Sequence, residues 1–180
     1  MPEIKGVIHA AGVIEARTLT ELNQKEFLRI LNPKVKGAWN LHLLTQHKTL
    51  DCFIMFSSAS TLIGLSGQGS YVAANAFLDT LAHSRRRMGL PGMSINWGVM
   101  KDVGMVANKA ELEKYAKAEG FEPVSMKDAM EVFHAIYDSE HTQIGIVKIH
   151  AETMANYYSV LSQTPYFKGF SKGFNLEMAC

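Results

Sequence analysis

The chain has 180 residues, of which 47% are hydrophobic and 19% charged, with a formal net charge of +1. That length suits one domain with a core large enough to fold without staples, and the near-neutral balance excludes the basic footprint of a nucleic-acid binder. Two cysteines, Cys52 in an apolar run and Cys180 at the last position, support neither a disulfide framework nor a cysteine metal site, so a reducing, cytoplasmic setting is expected.

In chain order, "IKGVIHAAG" is a short β-branched apolar run that predicts a buried strand entering a tight loop. From Thr20, Phe27, Ile30, Leu31, Val35, Ala38, Trp39 and Leu43 keep helical spacing, while Pro33 and Gly37 predict a kink or break, giving one long or two short helices. "LDCFIMFSS" has the continuous apolar character of a strand buried on both faces, as in parallel sheets. A helix over 71–88 follows, then a strand "GMSINWG", a loop with Gly98 and Gly104, charged helices "NKAELEKYAKAEG" and "SMKDAMEVFHAIY", and a last strand "QIGIVKI". No apolar segment reaches the roughly 20 residues that cross a bilayer, and the start lacks the order of a signal peptide. Strand and helix alternate, which predicts an α/β fold: a parallel sheet with flanking helices. The alternation fills residues 1–150, and residues 151–180 read as a tail or linker.

In an open parallel sheet, ligands sit beyond the carboxyl ends of the strands, where Ser57 and Ser58 fall. Tyr71 and Asn75 are four residues apart and share one face if the helix begins near Tyr71. A phenol is a poor acid at neutral pH unless a cation and hydrogen bonds stabilise its anion. Lys34 and Lys36, on the preceding helix, are the candidates for that cation. Taken singly, each residue has a plainer reading as a packing tyrosine, a capping serine or a solvated lysine.

Together, "GVIHAAG", "NPKVKGAWNL", "FSSASTLIGLSGQGSYVAANAFLD" and "SINWGVMKDVGM" resemble the catalytic part of ketoreductase domains of modular polyketide synthases, a branch of the short-chain dehydrogenase/reductase superfamily. The resemblance covers about residues 4–150 and implies a Rossmann-like sheet. It implies a catalytic set of Tyr71, Ser58, Lys34 and Asn75, since the synthase enzymes carry asparagine four residues after the tyrosine where ordinary superfamily members carry lysine. In those roles Tyr71 delivers a proton to a β-ketone, Ser58 donates a hydrogen bond to its oxygen, Lys34 lowers the tyrosine's pKa, and Asn75 orients Lys34 or a water.

The resemblance also implies NADPH as hydride donor and a β-ketoacyl group on the phosphopantetheine arm of an acyl carrier protein as substrate. His9, Ala10, Ala11 and Gly12 resemble the motif lining the adenine and ribose side, and Asn96, Trp97, Gly98 and Val99 the loop passing the nicotinamide. The Gly-rich turn that holds the pyrophosphate, and the first three strands around it, have no counterpart here, so the expected fold is truncated at its N-terminus. Its first strand then forms an apolar sheet edge able to self-associate, the isolated chain is expected to bind NADPH weakly, and the rest of the synthase is the natural partner. Ala16 and Ile63 stand where the resemblance places stereochemical signatures, and neither signature is present. Alternatives are a free-standing dehydrogenase for a small ketone or alcohol, and a non-catalytic structural fragment. The 7 histidines show no paired ligand spacing, so no metal is expected. "SRRRMG" reads as a charged helix end complementing the helix dipole.

Overall fold

The computed structural model describes residues 2–15, 18, 20–65, 67–101, 114 and 116–158. In chain order the elements are β1 (Gly6–His9), α1 (Gln24–Thr45), β2 (Cys52–Ser58), α2 (Ser60–Ile63), α3 (Gly69–Arg87), β3 (Met93–Trp97), β4 (Phe121–Glu122), α4 (Met126–Tyr137), β5 (Gln143–Ile146), β6 (Lys148–Ile149) and α5 (Ala151–Tyr157). The chain separates into two compact units, one of Met1–Trp97 with Ala129–Ile146, the other of Gly98–Asp128 with Val147–Cys180. Gly104, Met105, most of "NKAELEKYAKAEG", Ala16 and the aromatic stretch 162–180 lie outside the described residues.

In the first unit, four parallel strands run in the order β1-β2-β3-β5, with Ile54 opposite both Ile8 and Met93 and Asn96 opposite Gly145. The α/β reading with a parallel sheet therefore holds. Side chains alternate across each strand, which divides the core in two. Val7, Phe53 and Met55 pack with Ala38 of α1 and Leu78, Leu81 and Ala82 of α3. Ile54, Met93, Ile95 and Ile146 pack with Ile136 of α4 on the other face. Phe53, Ile54 and Met55 are all at most 1% exposed, as a strand buried on both faces requires. β1 forms one edge of the sheet, and Ile8, facing away from Val7 and His9, is 55% exposed.

α1 is one continuous helix of 22 residues with Pro33 inside it. A capping box starts it: the Asn23 side chain accepts from the Glu26 N–H (3.0 Å), and the Glu26 carboxylate accepts from the Asn23 N–H (3.3 Å). Pro33 removes one backbone donor, yet the helix carries on because Ile30, Lys34, Ala38, His42 and Thr45 bury one unbroken face across the proline.

The last predicted strand divides in two. β5 completes the parallel sheet, whereas β6 turns into the second unit and pairs antiparallel with β4, Phe121 opposite Ile149 and Glu122 opposite Lys148. Each strand of this ribbon has 2 residues, too few for a period-two pattern to mark them. α5 follows, capped by His150, whose Nδ1 accepts from the Thr153 N–H and hydroxyl. No helix among the described residues is long and apolar enough to cross a membrane.

Candidate functional site

The turn after β2 is shaped by its backbone. α2 is a single turn that ends at Gly64 (φ 78°), and Gly67 (φ 69°) reverses the chain again before α3. Both glycines hold a left-handed conformation that an L side chain rarely adopts. α3 then begins at Gly69, so Tyr71, Asn75 and Asp79 fall at successive turns of one buried face.

Lys34 approaches from α1. Its ammonium donates to the Phe56 carbonyl of β2 at 2.7 Å and lies 5.9 Å from the centroid of the Tyr71 ring. Lys34 is 2% exposed whereas Lys36 faces solvent, because residues two apart on a helix point in different directions. Burial pulls the Lys34 pKa down to about 8, with the charge of Asp79 opposing that fall. At neutral pH the side chain is still mostly an ammonium.

Tyr71 is 7% exposed. Burial raises its pKa above the usual phenol value, and hydrogen bonds with Ser58 and Asn75 partly offset the rise. Burial prevails, so the hydroxyl keeps its proton at neutral pH. The Ser58 Oγ accepts from the Ser60 hydroxyl (2.9 Å) and N–H (3.2 Å), which leaves its own O–H available to donate. The Asn75 amide donates to the backbone carbonyl of Tyr71 (2.8 Å), while its Oδ1 is buried without a partner. Ser58, Tyr71, Asn75 and Lys34 therefore converge, although they come from three elements.

The expected cofactor residues divide. Ala10, Ala11 and Gly12 lie open or half-open just past the carboxyl end of β1. The His9 ring instead turns inward against Gly37 of α1, and its pKa is lowered by burial and then by the Lys34 charge. The Asn96 side chain is fully buried: its amide nitrogen lies within hydrogen-bond reach of both Asp79 carboxylate oxygens (3.0 Å each), the Thr61 hydroxyl (2.8 Å), the Ser57 hydroxyl (3.1 Å) and the Ser58 carbonyl (3.3 Å). The Trp97 ring meets Phe56 edge-on at 5.5 Å, with its indole nitrogen buried and unpartnered. Gly98 and Val99 open the second unit, where the Val99 carbonyl accepts from the Val124 N–H (2.8 Å).

Sequence reasoning missed Asp79 and Ser94, and named Asn96 only for the loop passing the nicotinamide. Asp79 is 7% exposed and accepts from the Ser94 hydroxyl at 2.5 Å as well as from Asn96. The available signal was in "MSINW": polar residues at 94 and 96 alternate with apolar ones in a central strand, which implies a buried polar partner on the facing helix.

The KR domain family model matches residues 1–102, more than half of the sequence, including every residue of the Tyr71 cluster. The chain belongs to the KR domain family. Among its relatives is the hybrid PKS-NRPS synthetase pyvA of Aspergillus violaceofuscus, 39% identical over 142 residues, which are 78% of this chain and 4% of that protein. A structure of A-type ketoreductases from a modular polyketide synthase superposes with a TM-score of 0.86 at 28% identity, covering 91% of this chain and 34% of that one. The first ketoreductase of the tylosin PKS superposes with a TM-score of 0.82 at 30% identity, covering 94% and 38%. The curated relatives are far longer; among them this KR sequence spans between 3% and 9% of each protein.

Proposed function

We propose that the chain is the proton-donating part of a polyketide synthase ketoreductase that reduces a carrier-bound β-ketoacyl group to the β-hydroxyacyl product, with NADPH as reductant. The observation carrying this reading is the convergence of the Tyr71 hydroxyl, Ser58, Asn75 and the buried Lys34 ammonium at the carboxyl end of β2. A nicotinamide cofactor suits the residues present: small residues 10–12 follow β1, and buried Asn75 Oδ1 and Trp97 Nε1 are polar atoms without protein partners. Ala10, Ala11, Gly12 and Trp97 would hold it. When bound, it supplies the hydride.

The chain's own residues handle the proton and the developing charge. The Ser58 O–H and the Tyr71 O–H donate to the ketone oxygen, and as negative charge gathers there the Tyr71 proton moves onto it. A phenol that holds its proton at rest suits a donor. The resulting phenolate is stabilised by its hydrogen bonds with Ser58 and Asn75 and by the nearby Lys34 ammonium. The carrier protein and the rest of a synthase are the partners this reading requires.

The test is β-ketoacyl-thioester-dependent oxidation of NADPH, measured in the chain and in a polypeptide extended to the length of the solved ketoreductases. Tyr71→Phe removes the proton donor with little change in volume and should lower turnover about 100-fold or more. Retention of most of the turnover by that variant would refute the assignment.

A further inference from the structure

Histidines and Tyr71 aside, the first unit buries three ionisable side chains among its described residues: Lys34, Arg85 and a single carboxylic acid, Asp79. Arg85 has its own partners, donating to the Pro91 carbonyl (2.7 Å), meeting the His42 Nδ1 (3.0 Å) and stacking 3.8 Å from the centroid of the Phe53 ring. Asp79 has hydrogen bonds but no charge within them, since its donors are the neutral Ser94 hydroxyl and Asn96 amide. Those donors favour the ionised carboxylate without cancelling it. A buried, uncompensated carboxylate costs several kcal/mol, so a cation within electrostatic reach is required.

With Arg85 engaged elsewhere, Lys34 is the buried cation left, and the fold ties its anchor to the same network. Asp79 follows Tyr71 and Asn75 at the next turns of the buried face of α3. Lys34 is seated on the Phe56 carbonyl. The next two residues of β2 are tied to the carboxylate through Asn96, whose amide reaches the Ser57 hydroxyl, the Ser58 carbonyl and both Asp79 oxygens. The strand that anchors the lysine and the acid thus belong to one connected buried network.

The geometry points to Asp79 as the counter-charge of the Lys34 ammonium, a positioning residue that keeps the lysine on the Phe56 carbonyl, with Ser94 and Asn96 donating to the carboxylate. The direction of the lysine's titration agrees: burial lowers it to about 8 and Asp79 resists. The other titratable groups facing Lys34 are Tyr71 of α3, which stays protonated, and His9 of β1, whose lowered pKa keeps it neutral above pH 7. Neither supplies a competing charge. The inference rests on the reading of Lys34 as the ammonium of the reductase site, but its test reads the lysine's charge directly.

The Lys34 Cε resonance would be titrated by carbon-13 NMR in the chain as it stands, in Asp79→Asn and in Ser94→Ala. Asp79→Asn should lower the Lys34 midpoint by about one pH unit or more, a tenfold change in acidity, whereas Ser94→Ala, which keeps the carboxylate, should lower it much less. An unchanged midpoint in a folded Asp79→Asn overturns the inference. If that variant does not fold, the Asp79 carboxyl resonance of the unaltered chain should show a step at the Lys34 midpoint that Lys34→Met abolishes; absence of the step overturns it equally. In the extended polypeptide, the alkaline limb of kcat/KM should move down with the Lys34 midpoint, which a merely structural acid would not cause. A shifted lysine alongside full turnover in Tyr71→Phe would sink the reductase reading while leaving the counter-charge intact.

Discussion

Replacing Asn96 by alanine should cost the first unit about 3 kcal/mol. The side chain is fully buried, and its amide nitrogen has two hydrogens to share among Asp79, Thr61, Ser57 and the Ser58 carbonyl. A hydrogen bond to a charged group contributes about 1.5–3 kcal/mol and a neutral one about 1, so one of each gives the total. The loss comes from leaving the Asp79 carboxylate with the Ser94 hydroxyl as its remaining donor in a dry site. Both tryptophans, Trp39 and Trp97, lie in that unit, so their fluorescence in a urea titration reports on it. With a slope of about 2 kcal/mol per molar urea, the midpoint should fall by roughly 1.5 M. Asn96→Asp, nearly equal in volume, sets a second carboxyl beside Asp79, and its penalty should shrink as the pH is lowered and one of the two takes a proton. A midpoint moved by less than about 0.3 M in Asn96→Ala would refute the view of Asn96 as an internal strut, because the lost bonds would then be worth almost nothing.

Two further outcomes follow from buried cationic groups. His42 has its pKa lowered by burial and then by Arg85, and His9 by burial and then by Lys34. Below the ordinary histidine value of about 6.5 the unfolded chain therefore binds protons that the folded chain refuses, so the urea midpoint should fall as the pH drops below 6.5, less steeply in His42→Gln; equal slopes in the two proteins would contradict this. Arg85→Lys should destabilise by about 2 kcal/mol or more despite the conserved charge, since an ammonium cannot stack flat on Phe53 while reaching both the Pro91 carbonyl and His42. A thermal melt within a degree of the unaltered chain would show that the planar contacts carry no weight.

Much of the parallel sheet was legible because continuous apolar runs such as "CFIMF" have few other uses in a chain this polar. The Tyr71 cluster was legible through spacing: 71 and 75 share a helical face, and serines at 57 and 58 must emerge where the strand ends. The choice between Lys34 and Lys36 was not settled by periodicity, since Pro33 left the phase of the helix after it in doubt; the continuous helix turns Lys34 inward. The buried polar layer under the site was hidden for another reason. Hydrophobic patterning marks Asp79 as a surface position, and its interior place depends on Ser94 and Asn96 facing it from a strand that is adjacent in space and distant in sequence. The β4–β6 ribbon escaped because two-residue strands carry no periodic signature.

Gly37 stands one turn beyond Lys34 on α1, where a Cβ would lie 3.0 Å from the His9 Cε1. The bare backbone lets the helix settle onto the histidine ring, and that depth fixes how far the lysine's stem must reach to place its nitrogen on the Phe56 carbonyl. Positions 9 and 37 therefore behave as a single variable. An alanine at 37 would lift the helix and withdraw the lysine, and a smaller residue at 9 would make room for it again. In a redesign of this site, the first dimension to set is the thickness of the histidine and glycine layer between β1 and α1, before any residue of the Tyr71 cluster is altered.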